Sequence, residues 1–107
     1  MDLVRLQQLH GEWALKNFPD STPDHALIGM VEEVGELAHA HLKQIQKIRG
    51  TYEEHRAQKA DAIGDILMYL LHYATLERFD MDSLVQKVWE DINKRDWLRN
   101  RVDGVSK

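Results

Sequence analysis

Apolar residues recur at intervals of three and four rather than two, in a chain with only two prolines and six glycines. That period belongs to amphipathic helices, so four main helices and no sheet are expected. The first runs from about Leu3 to Asn17, turns Leu6, Leu9, Trp13 and Leu15 largely inward, and ends before Pro19. Thr22 followed by Pro23 and Asp24 reads as an N-cap with proline at the first helical position. It opens a second helix to about Ile48, with Gly50 as the stop. On this helix Leu27, Val31, Val34, Ala38 and Ile45 share one stripe, Glu32 and Glu36 lie nearly opposite, and Glu33 sits at the edge. Thr51 with Glu54 makes a capping box for a third helix to about Arg78, whose second half is nearly all apolar. A helix apolar around most of its circumference is central to a bundle or lies in an oligomer interface. After a tight turn at Phe79 and Asp80, Asp80 or Asp82 caps a fourth helix with Leu84, Val88, Trp89 and Ile92 inward. From about residue 102 the tail is expected to fray.

At 107 residues the chain reads as one compact helical domain over 1–107. With no cysteine, any metal must be held by oxygen or imidazole ligands. A net charge of −4, without a Lys/Arg stripe, argues against a nucleic acid polymer as partner. The N-terminus lacks the apolar core of a signal peptide, and the run from Ala62 to Ala74 is interrupted by Asp65 and His72 and too short to span a bilayer. A cytoplasmic protein without a membrane partner is expected.

The chemistry is concentrated in two acidic motifs. Glu32-Glu33-Val34-Gly35-Glu36 sets three carboxylates within little more than one turn, a crowding that is unfavourable without a cation. Asp61-Ala62-Ile63-Gly64-Asp65 adds two more, and Asp65 stands in an apolar run where an unpaired charge is expensive to bury. Acidic clusters on helices are usually solvated faces, but the position of Asp65 does not fit that account. Hard oxygen ligands converging from two neighbouring helices make a natural Mg²⁺ or Mn²⁺ site.

Val31 to Leu37, a helix-length gap, and then Ala62 to Ile66 resemble the E-E-x-x-E and E-x-x-D signature of the MazG-like all-α nucleoside triphosphate pyrophosphohydrolases, with the likeness extending from about Trp13 to Trp97. The resemblance implies a four-helix bundle assembling into dimers or tetramers, and Mg²⁺-dependent conversion of a nucleoside triphosphate to monophosphate and pyrophosphate by water attack at the α-phosphorus. By position it makes Glu33, Glu36 and Asp65 metal ligands, and Glu32 or Glu36 the base. The chain departs from the signature at Ala62, where the family has glutamate; Asp61, one turn before Asp65 on nearly the same face, is the candidate replacement. The alternative is a catalytically weak or inactive relative, a nucleotide-binding or regulatory oligomer.

Lys43 and, on the last helix, Lys94 and Arg95 are candidates for phosphate binding, although Asp91 stands about where the family has a lysine. Trp13 and Phe18 are the leading candidates to stack on a nucleobase, ahead of Trp89 and Trp97. The six histidines are scattered; His39 and His41 face different sides of a helix, and His72 reads as a core or interface residue.

Overall fold

The computed structural model describes residues 1–105 and contains four helices: α1 (Leu3–Asn17), α2 (Pro23–Gln46), α3 (Tyr52–Leu76) and α4 (Met81–Asn93). Among the described residues there is no strand. Local signals set the starts. Asp2 accepts the Arg5 N–H at 2.7 Å, Thr51 accepts from the Glu54 N–H while Glu54 reaches back to the Thr51 N–H, and Asp80 accepts from Ser83. At the head of α2 the Thr22 N–H donates to His25 Nδ1 at 3.2 Å.

The end of α2 differs from expectation. It stops before Gly50, at Lys47, which takes the left-handed conformation while its N–H and that of Ile48 turn back to the Gln44 and Lys43 carbonyls. This closure satisfies orphan end carbonyls with a non-glycine residue. Arg49 and Gly50 also have positive φ, so the α2–α3 turn is left-handed at three of its residues.

α3 is the hub. It packs along α2 and against α1, and α1 in turn holds α4. The core lies where α1, α3 and α4 meet: Leu71, Ala74 and Met81 are buried, with Leu3, Leu6 and Met68 packed on them. Gln7 pins this corner. Its Nε2 donates to the Phe79 carbonyl at 2.8 Å and to Thr75 Oγ1 at 3.2 Å, and its Oε1 accepts the Met81 N–H at 2.9 Å. One side chain thereby satisfies groups of the α3–α4 turn.

Several residues expected to face inward do not. On α2 the stripe Leu27, Val31, Val34, Ala38 and Ile45 is exposed, Val31 to 61%. Ala26 and Ala40 are buried instead, with Met30, Glu33 and Leu37 half-buried between them. The small residues Ala26, Ala40 and, on α3, Ala62 let the two helices approach closely, so α2 presents its alanine face to α3 and carries Glu33 inward at an interval of seven from each alanine. Trp13 and Leu15 on α1, and Leu84, Val88, Trp89 and Ile92 on α4, are likewise exposed. α4 joins the core through Met81 at its start, and its apolar side is left exposed among the described residues. Beyond α4, residues 96–104 close into a hook: the Asp96 N–H donates to the Gly104 carbonyl and the Gly104 N–H to that of Asn100, both at 2.8 Å. These bonds tie the chain as far as Gly104; of the tail expected to fray from about 102, residues 106 and 107 lie outside the described residues.

Candidate active site

Glu33 is the residue on which the two acidic motifs meet. Its Oε2 is fully buried and has no hydrogen-bond partner. Lost hydration pushes its carboxyl above the ordinary range, and the neighbouring carboxylates of Glu36, Asp65 and Glu32 push it further. Asp65, on the α3 helix that packs along α2, is among the groups that act on Glu33. Glu32 and Glu36 are exposed on either side, and Asp65 is half-buried. A buried oxygen with nothing to accept from, ringed by like charge, suits a hard divalent cation by its donor chemistry. Among the described residues no three His, Asp or Glu side chains are grouped so as to hold a metal ion; a cation here would have to draw these carboxylates together and take further oxygens from water or substrate.

Two cavities flank this centre. The larger, about 620 Å³, has Asp65 on its wall together with His10, Trp13, Phe18, Tyr69 and His72. Its aromatic side is a chain of edge contacts: His10 stands 5.3 Å from His72 and 5.6 Å from Trp13, and Trp13 lies 5.7 Å from Phe18 between ring centres. Burial lowers the basicity of His10, with a further contribution from His72, and burial alone lowers that of His72. His10 Nδ1 is buried without a partner. Gly29 shapes the same wall, since a Cβ there would collide with the Tyr69 ring. Sequence reading singled out Trp13 and Phe18 but missed His10 and Tyr69. The 62-residue separation of His10 and His72 gives no local signal, and only the α1–α3 packing brings them together.

The smaller cavity, about 350 Å³, lies toward the α2–α3 turn and is lined by Glu36, Lys43, Arg49, His55, Asp61 and Ala62, with His39 and Gln58. Asp61 is exposed on this side, whereas Ala62 is buried against α2. Lys43 is thus brought to the site. Lys94 and Arg95 line neither cavity: Lys94 ends α4, and the Arg95 guanidinium donates to the Asp103 carbonyl and lies 5.6 Å over the Trp97 ring, within the C-terminal hook.

A family model for the MazG nucleotide pyrophosphohydrolase domain matches residues 21–98. The chain belongs to that family. The matched region takes in α2, α3 and α4 entire, and so both acidic motifs, while α1, with His10 and Trp13, precedes it. A search of curated proteins returned no match. No helix among the described residues is long and apolar enough to cross a membrane.

Proposed function

We propose that this protein is a Mg²⁺-dependent nucleoside triphosphate pyrophosphohydrolase, releasing nucleoside monophosphate and pyrophosphate by water attack at the α-phosphorus. The observation that carries the reading is the buried, unpartnered Glu33 oxygen among Glu36, Asp65 and Glu32. Glu33, Glu36 and Asp65 would hold the cation, with Asp61 acting through a bridging water in place of the side chain that Ala62 lacks. Bound there, Mg²⁺ (or Mn²⁺) supplies positive charge to the phosphate oxygens and the departing pyrophosphate. Glu32 or Glu36 takes the proton of the attacking water. Lys43 offers its ammonium to the phosphates. Trp13 and Phe18 flank the base in the larger cavity, where the neutral imidazole of His10 has a free Nδ1. The test is incubation with a panel of nucleoside triphosphates and Mg²⁺, measuring pyrophosphate separately from orthophosphate; release of orthophosphate alone overturns the reading.

A homodimer or homotetramer belongs to the same proposal. The single chain exposes 8500 Å², against about 6,200 Å² for a compact folded monomer of this mass. Its radius of gyration is 17.7 Å against about 13 Å for a compact domain of this length. The open apolar faces of α2 and α4 supply what a second chain would cover.

One feature favours a second reading, a catalytically weak nucleotide-binding relative: Ala62 puts a buried methyl where the family has a carboxylate. Asp61→Asn and Ala62→Glu decide between them in one pyrophosphate assay. If Asp61 is a relocated ligand, its loss reduces turnover about as much as Asp65→Asn does. If Asp61→Asn is silent and Ala62→Glu creates activity in an inert protein, the weak relative is right.

A further inference from the structure

We infer that the smaller cavity, at the α2–α3 turn, is a pyrophosphate-binding subsite in which Arg49 and the buried His55 hold the two terminal phosphates of the substrate and then the released product. The inference rests on the reaction proposed above, and it adds residues that lie outside both acidic motifs.

The cavity is polarised along its length. Glu36 and Asp61 stand at the end shared with the acidic centre. Lys43 is two turns further along α2, about 10 Å at 1.5 Å per residue, and Arg49 follows in the turn. Because α3 leaves that turn and runs back along α2, His55 lies at the basic end and Asp61 at the acidic one. A cation bound at the acidic end would offset Glu36 and Asp61, leaving Lys43 and Arg49 as the unopposed charges for an anion bridging the two ends.

Neither base is engaged elsewhere by a carboxylate. Among the described residues the single ion pair is Arg99 with Asp96, at 3.7 Å. Lys43 donates only to the neutral Gln46 Oε1, at 3.0 Å. Guanidinium and ammonium groups that are close to carboxylates yet unpaired are available to phosphate oxygens.

His55 supplies the independent observation. It is only 3% exposed, the one buried polar residue of the chain's described part, and its Nε2 has no partner. A buried imidazole nitrogen without a hydrogen bond costs free energy unless a ligand or water meets it. Space beside that nitrogen is kept by Gly50: a Cβ there would stand 3.2 Å from His55 Nε2, and the φ of 140° admits glycine alone without strain. With the proton on Nε2 the ring donates to an anion, while Arg49 and Lys43 supply charge.

The test is calorimetric titration of the full-length protein with inorganic pyrophosphate in excess Mg²⁺, alongside a nucleoside monophosphate. Arg49→Gln and His55→Gln should each weaken pyrophosphate binding about tenfold or more, as expected for a lost charge-assisted hydrogen bond, and leave monophosphate binding unchanged. Arg78→Gln, at the far end of α3, should change neither. Circular dichroism checks folding; if His55→Gln fails to fold, the exposed Arg49 decides the matter alone. Wild-type affinity for pyrophosphate in Arg49→Gln, or no binding in the wild type, overturns the subsite. Arg49-dependent pyrophosphate binding in a protein that releases only orthophosphate would retain the subsite and remove the reaction. Pyrophosphate release together with unaltered binding in the variants would do the reverse.

Discussion

The corner where α1, α3 and α4 meet and the middle of the α2–α3 pair are built on opposite terms. The corner buries Leu71 completely, seals Met81 and Ala74 around it, and satisfies its turn through Gln7. The middle buries alanines, keeps a carboxyl oxygen and an imidazole nitrogen without partners, and opens to a cavity on either side. Folding free energy is drawn from the first region, while the second keeps its polar groups unsatisfied and its carboxylates crowded. Sites arranged for a charged ligand commonly sacrifice stability in this way.

The sharpest way to break this division is at its apolar end. Leu71→Ala should destabilise the protein by about 2–5 kcal/mol, the usual cost of removing a buried leucine and leaving a cavity. Denaturant unfolding measures it, and a loss under 1 kcal/mol would mean that the corner is not the core. The reciprocal experiment targets the middle. Asp65→Asn and Glu36→Gln should each weaken Mg²⁺ binding at least about tenfold in calorimetry, while leaving apo melting temperature unchanged or higher, because each removes like-charge repulsion. Glu54→Gln, at the α3 cap, should bind Mg²⁺ normally, and equal behaviour of all three would remove the site.

The two regions also differ in their response to pH. Glu33 has its carboxyl raised in the folded protein from 4.5, so the folded state holds a proton that the unfolded chain has released. Its contribution to apo stability is fully present below 4.5 and is lost as pH climbs through the raised value. Melting curves in chelator should therefore show a decline above pH 4.5 that Glu33→Gln flattens. Mg²⁺, competing with that proton, should bind more tightly over the same rise. A flat difference between wild type and variant would show that Glu33 is not under strain from its neighbours.

The smallest effect concerns Gly64, beside Asp65 on α3. A Cβ there meets nothing within 4 Å. In a lone chain Gly64→Ala should stabilise by up to about 1 kcal/mol, since glycine is unfavourable inside a helix. Destabilisation, or dissociation of an oligomer seen by light scattering, would instead place a second chain or a neighbouring element over that face.

By itself the sequence determined the helices and the chemical inventory. Caps at Thr51 and Asp80, the spacing of three and four, and Pro19 and Pro23 act within a few residues of themselves, so four helices and their starts followed from local rules. The acidic motifs were likewise readable, because carboxylates one turn apart converge wherever the helix lies. Tertiary structure decided which face each helix turns inward. The wide Val31 stripe looked like the core side of α2, yet the narrower alanine face won, because alanines admit the close approach of α3 that large side chains would block. That rotation turns Glu33 inward, with one carboxyl oxygen buried, and selects the residues that stand together: His10 with His72 across α1 and α3, and Arg49 with His55 across a left-handed turn. These pairings depend on interhelical distance and rotation, and neither quantity is encoded in the spacing of residues along a single helix.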